Sequence, residues 1–178
     1  MFGCLAKRPQ IDTTGLQMTI QNLSPIAASE ASAGKQETIR AQPHLEALIQ
    51  IITRFEHAFR ASDQATIDEL CDPGLVDHNA PEGDSTLAGF KQKVAYFKAI
   101  FPDLEEDLQD VIASGDTVAT RWVLTGSQQQ EFMGIPASGQ TIRVEGMNFY
   151  RLREGRVTDM WTQFDGVAMM QQLSAIPA

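Results

Sequence analysis

The stretch from Asp116 to Asp165 reads DTVATRWVLTGSQQQEFMGIPASGQTIRVEGMNFYRLREGRVTDMWTQFD, and it decides the fold of this chain. Turn residues divide it into three strand-like runs, which we predict at 117–125, 141–152 and 157–165. In the middle run the even positions are apolar apart from Asn148, and the odd positions include charged residues. A period of two of this kind predicts a half-buried β-strand with one polar group on its inner face.

A hairpin is predicted after the middle strand, at residues 153–156 (Arg-Glu-Gly-Arg), because its glycine accepts a positive φ. The length of the loop fixes the register of the next strand. A three-residue loop at 154–156 places Asn148 opposite Thr162 on the apolar side, whereas a two-residue loop places Trp161 there. We expect the three-residue loop, with Asn148 and Thr162 close enough to form a hydrogen bond. The resulting concave antiparallel sheet is suited to holding a small molecule.

Composition and charge exclude several functions. The 178 residues carry a formal net charge of −9, which argues against binding to nucleic acid because phosphates require a basic surface. The chain has no run of 18 apolar residues, so we expect no contact with a membrane. Cys4 and Cys71 are too few for a disulfide framework and favour the reducing cytoplasm. No cysteine or histidine spacing is typical of a metal site.

The segment 1–43 differs from the rest of the chain. It is dominated by Gln, Ser, Ala, Thr and Pro and has few large apolar residues, so it lacks the surface needed to offset its chain entropy. We predict a flexible N-terminal extension over 1–43 and one domain over 44–178. An arm that packs on a partner subunit is the alternative interpretation of the extension.

Helices are predicted before the strands and once after them. Apolar residues recur at three- and four-residue steps, and Asp63 is a predicted N-cap. Helices before an antiparallel meander indicate an α+β fold, with helices on one face of the sheet. The predicted helices are 44–62, 64–71, 85–101 and 167–174, with a brief extended piece at 75–79.

Several motifs together resemble those of the SnoaL-like polyketide cyclase family, a branch of the NTF2-like proteins. The resemblance covers residues 44–175 and implies a cone in which helices wrap a curved antiparallel sheet around a deep apolar pocket. It also implies acid/base chemistry by a carboxylate, without a cofactor, that closes a polyketide ring in an intramolecular aldol reaction. The motifs are FPDL (101–104), GDTVATRW (115–122), LTGSQQQEFMGIPASGQTIRVEG (124–146), FYRLREGRVTDMWTQFD (149–165), the pair His78-Asn79 and QQL (171–173).

The chain departs from the family pattern in the last strand. Relatives that cyclise polyketides read W-D-x-x-D there, whereas this chain has Thr162 at the position of the first aspartate. A threonine hydroxyl does not accept a proton at neutral pH as a carboxylate does. Gln128 also stands where relatives often have histidine. Two functions therefore remain open: a cofactor-free cyclase, isomerase or hydrolase of a hydrophobic small molecule, or a binding protein that uses the same pocket without catalysis.

His78 and Asp165 are the candidate catalytic residues. His78 follows a short strand, and histidine moves protons near neutral pH. Its alternative role is that of a loop histidine bound to a nearby carbonyl. Asp165 lies either at the mouth of the pocket or at the N-cap of the last helix, and we favour the cap.

The candidate substrate contacts are polar or aromatic residues near the predicted pocket. Arg121 and Trp122 are adjacent on a strand, so they face opposite ways, and the pattern does not tell which one enters the pocket. Apolar residues occur on both faces of that strand, which predicts a homodimer formed through the outer face of the sheet. The candidate contacts are Asn148, Thr162, Arg121, Trp122, Gln128, Phe59, Tyr96 and Trp161.

Overall fold

A computed structural model describes the backbone of residues 25–81 and 83–173, with side chains from residue 43 onward. The chain divides into two compact units, Met1–Arg40 and Ala41–Ala178. In the first unit the described backbone, from Pro25, is helical. The first helix therefore begins at Pro25 and not at the predicted residue 44, so it includes residues 25–43 of the predicted extension. Residues 1–24 lie outside the described residues, and the flexibility of the extension stays a prediction.

The described residues form four helices and five strands in an α+β arrangement, as predicted. The short helices have side-chain caps: Asp63 accepts a hydrogen bond from the Thr66 N–H at 3.1 Å, and Asp165 accepts one from the Ala168 N–H at 2.8 Å. Both predicted N-caps are therefore confirmed. The elements are α1 Pro25–Ala61, α2 Gln64–Leu70, β1 Cys71–Asp77, α3 Leu87–Ile100, β2 Glu105–Ser114, β3 Thr117–Ser127, β4 Thr141–Arg153, β5 Arg156–Phe164 and α4 Gly166–Gln172.

The five strands form one sheet in the order β1-β5-β4-β3-β2. Strands β3, β4 and β5 make the predicted antiparallel meander, and β2 adds a fourth antiparallel strand beside β3. Strand β1 instead lies parallel to β5, with Asp77 beside Met160. The chain passes through α3 and the whole meander between these two strands, so no tight turn forces them to be antiparallel.

The hairpin between β4 and β5 has a two-residue loop, so the predicted three-residue loop was wrong. Glu154 and Gly155 have φ values of 50° and 75°, as type I′ turns require at both central positions. The predicted pairing of Asn148 with Thr162 is nevertheless confirmed. The register shifts by one residue between Arg151 and Leu152, which leaves Thr158 as a β-bulge that offsets the shorter loop.

Burial along β4 alternates as predicted. Every even position from 142 to 152 is buried and every odd position is exposed. The inner face packs against Phe55 of α1 and Phe90 of α3, whose rings stack with centroids 5.5 Å apart. The hydroxyl-bearing ring of Tyr150 meets Phe55 edge-on at 5.5 Å. The apolar side of the sheet therefore forms one wall of a core, and α1 and α3 form the opposite wall.

Candidate functional site

A cavity of about 120 Å³ lies between the inner face of the sheet and helices α1 and α3. Most of its lining is aromatic or aliphatic, as in the small-molecule sites of other proteins. Its polar lining residues come from α1, α3 and the strands β2, β4 and β5: Glu56, Lys93, Glu106, Asn148, Tyr150 and Thr162.

Glu56 is the most deeply buried carboxyl group of this cavity, with 2% of the residue exposed. Its Oε1 accepts three hydrogen bonds, from Tyr150 Oη at 2.7 Å, Asn148 Nδ2 at 3.0 Å and Thr120 Oγ1 at 3.0 Å. Asn148 and Tyr150 are two positions apart on β4, and Thr120 pairs with Asn148, so one sheet face presents all three donors. Burial raises the pKa of Glu56, and the three hydrogen bonds oppose that rise.

Glu106 is the second carboxyl group of the cavity and lies on the inner face of β2. Burial raises its pKa to about 9, the negative charge of Glu56 adds to the rise, and Arg60 opposes it. Two carboxyl groups in one apolar site do not both ionise readily. Glu106 therefore keeps its proton at neutral pH.

Trp122 enters the cavity and Arg121 faces outward, which settles the alternative left open by the sequence. Arg121 binds Asp110 on the outer side at 2.7 Å. The indole of Trp122 lies over Gly146, where an added Cβ would come within 2.3 Å of its Cη2. Glycine at position 146 is thus what allows the indole to lie against β4.

Two buried polar atoms at the cavity have no hydrogen-bond partner within the described part of the chain. They are the Nε1 of Trp122, a donor, and the Oδ1 of Asn148, an acceptor. The hydrogen bond expected between Asn148 and Thr162 is therefore not formed, because Oδ1 is unpaired and the amide nitrogen has other partners. The amide nitrogen of Asn148 donates to Glu56 and to Tyr150 Oη, the latter at 2.7 Å. Buried polar groups are normally paired, so these atoms are suited to contact a ligand.

Lys93 contributes a cation to the cavity wall. Its ammonium group donates to the Oδ2 of Asp77, a fully buried residue at the end of β1. The Nζ atom lies 5.0 Å from the centre of the Phe90 ring, and the side chain is 34% exposed. Asp77 also accepts a hydrogen bond from the Asn79 N–H at 3.1 Å, which fixes its carboxylate.

Four of the ten predicted site residues line the cavity: Phe59, Trp122, Asn148 and Thr162. The two candidate catalytic residues are not among its lining residues. His78 stacks on Trp161 with ring centroids 4.3 Å apart, and its Nε2 lies 3.0 Å from Asp159 Oδ1. Asp165 caps α4.

The remaining predicted contacts have other surroundings. Gln128 is fully buried and donates to the carbonyls of Gln130 and Ile135 at 3.0 and 3.1 Å, so it holds the loop after β3 together. Tyr96 is 47% exposed and packs beside Phe97. Arg121, Gln128, Tyr96 and Trp161 are not among the residues that line the cavity.

Glu56 and Glu106 were not among the residues predicted from sequence, although each interrupts an apolar pattern. Ile52, Glu56 and Phe59 follow the three- and four-residue steps of one helix face, so the glutamate falls on the buried stripe. Leu104, just before β2, and Glu106 and Leu108 on β2 alternate with exposed residues in the same way. A charged residue on an apolar face is the signal that identifies both.

Comparison with known proteins agrees with the fold. The sequence model of the SnoaL-like polyketide cyclase family matches residues 49–173, and the chain belongs to this family. IdmH of Streptomyces antibioticus is 33% identical, with a TM-score of 0.63, over 70% of this chain and 96% of that one. TsrD of Streptomyces laurentii is 24% identical, with a TM-score of 0.68, over 74% and 97%. A SnoaL-like protein of Jannaschia sp. CCS1 is also 24% identical, with a TM-score of 0.67, over 88% and 99%.

Two further searches gave negative results. No curated protein matches this chain. Among the described residues, no helix has the length and apolar character needed to cross a membrane. The indications of function are therefore the family and the geometry of the cavity.

Proposed function

We propose that the protein performs cofactor-free acid/base chemistry on a hydrophobic small molecule, as a cyclase, isomerase or hydrolase. The observation that carries this proposal is the pair of carboxyl groups, Glu56 and Glu106, in a largely apolar cavity. Burial raises the pKa of both groups, and perturbed carboxyl groups in a cleft are typical of acid/base sites. Membership of the SnoaL-like polyketide cyclase family supports the same class of chemistry.

The two carboxyl groups take different roles in this proposal. Glu56 is assigned as the base, because the three hydrogen bonds to Oε1 favour its anion and oppose the rise in pKa that burial causes. Glu106 is the acid, because it holds a proton at neutral pH. Glu56 removes a proton from the carbon beside a carbonyl group while Glu106 protonates the carbonyl oxygen, and the substrate becomes an enol. Reversal of both transfers returns the ketone. In a cyclisation the enol carbon instead bonds to a second carbonyl carbon, whose oxygen takes the proton from Glu56, while the enol hydroxyl returns its proton to Glu106.

This assignment differs from the roles predicted for His78 and Asp165. Both of those residues lie off the cavity lining, whereas Glu56 and Glu106 belong to it. It also explains how Thr162 can replace the aspartate of cyclising relatives: the carboxyl groups stand on α1 and β2 instead of β5. The roles of His78 and Asp165 stay predictions that the same assay tests.

The proposal is tested with 2-tetralone, an apolar bicyclic ketone, in heavy water. Proton NMR follows the exchange of its α-protons for deuterium. We expect the wild-type protein to accelerate exchange and Glu106→Gln to reduce the enzymatic rate by about 10²–10⁴-fold. The control is Asp107→Asn, which removes an exposed carboxylate at an adjacent position and should leave the rate within about twofold.

The binding-protein alternative predicts a different result. In that case 2-tetralone binds, as seen by calorimetry, but its α-protons exchange no faster than in buffer. That outcome would reject the catalytic proposal and retain the cavity as a binding site. The unpaired Trp122 Nε1 and Asn148 Oδ1 would then serve recognition alone.

We also propose that the protein forms a homodimer through the outer face of the sheet. Ile112, Met147 and Phe149 are 66%, 56% and 52% exposed there. Phe149 pairs with Ala119 and Trp161 on the neighbouring strands, so the apolar residues form a band across the face. A large exposed apolar patch is typical of an interface. Sedimentation should report a dimer at micromolar concentration for the wild type and a monomer for Phe149→Glu; a wild-type monomer contradicts the proposal.

A further inference from the structure

We infer that the cavity takes ligands that carry a carboxylate, and that Lys93 binds this group. The inference rests on the proposed function only in that the same cavity holds the ligand. It adds a chemical class, an apolar acid, and a binding residue that neither the acid/base step nor the Asn148 network uses.

The first support is the way Lys93 is held. Its ammonium group has three N–H donors, and Asp77 Oδ2 is their one hydrogen-bond acceptor among the described residues. Asp77 is fixed in turn by the Asn79 N–H. Lys93 is therefore anchored in position while donors remain for a ligand, and its side chain is still 34% exposed beside the cavity.

The second support is the position of the ionisable groups relative to the strands of the sheet. Asp77, the partner of Lys93, is on the edge strand β1, whereas Glu106 is on the opposite edge strand β2. Four strand spacings separate these edges, about 19 Å along the sheet at about 4.8 Å per strand. Glu56 bonds to residues of β3 and β4. A ligand carboxylate at Lys93 thus lies at the end of the cavity away from Glu106.

The third support is the apolar surface between the two ends. Phe90 lies directly under the Lys93 ammonium group, and Phe55 stacks on Phe90. Both rings are among the residues that line the cavity, so an apolar ligand bound there contacts aromatic surface while its carboxylate meets the ammonium group. The surrounding apolar walls strengthen such a charge–charge contact relative to water. A carboxylate at this end leaves the other end of the ligand beside Glu56 and Glu106.

The experiment compares two probes of one shape, 1-naphthylacetate and its neutral analogue 1-naphthylacetamide. Calorimetry at pH 7 gives the affinity of the full chain for each. We expect the wild type to bind the acid about tenfold more tightly than the amide. The double variant Asp77→Asn/Lys93→Met should lose this preference and bind the amide within about twofold of the wild type.

Two further variants separate ligand binding from a structural role of Lys93. Removing Lys93 alone leaves a buried, unpaired Asp77, so the single variant is not informative. Asp77→Asn instead keeps the lysine and frees a donor, so it should retain or increase the preference for the acid. Lys91→Met is the control on the same helix, because Lys91 binds Asp68 at 2.6 Å, and it should leave the preference unchanged.

Several results would overturn the inference. Equal wild-type affinities for acid and amide, or binding of neither, would show that Lys93 does not recognise a carboxylate. A preference that persists in the double variant would place the recognising cation elsewhere. If the double variant does not fold, a lower acid preference in Asp77→Asn would contradict the inference. The α-proton exchange of neutral 2-tetralone is independent of these readouts, so failure of the proposed function is seen separately.

Discussion

Two carboxyl groups that lie against opposite faces of the same sheet have opposite pKa shifts. Glu56 faces the inner side, where uncharged donors surround it and burial raises its pKa. Asp159 faces the outer side of β5, where a hydrogen bond from His78 is the main cause of a lowered pKa. Both groups have well-placed hydrogen-bond partners. Burial, rather than the number of hydrogen-bond partners, therefore decides whether the pKa of each carboxyl group is raised or lowered.

The largest expected effect is on catalysis. Glu56→Gln keeps an oxygen for Tyr150 and Asn148 but cannot accept a proton, so α-proton exchange should fall by about 10²–10⁴-fold, or about 3–5 kcal/mol of barrier. Asp159→Asn is the matched change on the outer face and should leave the rate within a few-fold. Equal losses in the two variants would mean that the outer pair with His78 takes part in the chemistry.

The next effect concerns the wall of the cavity. Gly146→Ala places a Cβ 2.3–2.4 Å from two indole carbons of Trp122 and 2.8 Å from the Gln163 carbonyl oxygen. We expect a loss of about 1–3 kcal/mol in the free energy of unfolding, measured with urea. We also expect weaker binding of 2-tetralone, because the indole must move. The control is Gly74→Ala, where a Cβ meets just the Asp72 Oδ1 at 3.1 Å. An unchanged stability for Gly146→Ala would mean that the indole has another position available.

Tyr150→Phe sharpens the comparison by removing one donor from Glu56. The Tyr150 hydrogen bond is the largest of the effects that lower the pKa of Glu56, so its loss raises that pKa further. The acidic limb of the pH profile for α-proton exchange should move to higher pH. Tyr96→Phe, at an exposed tyrosine, is the control and should leave the limb in place. A shift to lower pH would show that Glu56 is not the base.

The last expected effect is on the pH dependence of the free energy of unfolding, which should differ in direction between Glu106 and Asp159. The folded-state pKa of Glu106 is raised from 4.5 to about 9, so its stabilising contribution is complete below pH 4.5 and is lost as the pH rises towards 9. Glu106→Gln should therefore gain stability relative to the wild type across that window. The rise in Tm should grow as the pH increases from 4.5 towards 9.

Asp159 should give the opposite signature. Its pKa is lowered from 3.8, so its contribution is present above pH 3.8 and is lost as the pH falls below that value. Asp159→Asn should be less stable than the wild type above pH 3.8 by about 0.2–1 kcal/mol, because the pair with His78 is partly exposed. Thermal unfolding between pH 3 and 9 measures both variants. A stability change in the same direction for both variants would contradict the difference between the two faces of the sheet.

The sequence by itself determined the α+β order, the two faces of β4 and the family. Alternation around Asn148 predicts its inward position, because side chains on a strand alternate between two faces whatever surrounds them. The pairing of Asn148 with Thr162 was also predicted, though for a different reason: a bulge at Thr158 compensates a shorter loop. Bulges depend on sheet twist and on neighbouring strands, so local turn residues do not reveal them.

Only the tertiary structure decided which polar residues line the cavity. Glu56 and Glu106 are 50 positions apart, and each falls on an apolar pattern that reads locally as core. Packing of α1 and β2 around one cavity brings them together and removes water from both, which raises their pKa values. His78 has ordinary signals of a catalytic residue in sequence, yet the sheet places it with Asp159 and Trp161. Burial and partner choice are properties of the packed chain, since they depend on residues that are distant in sequence.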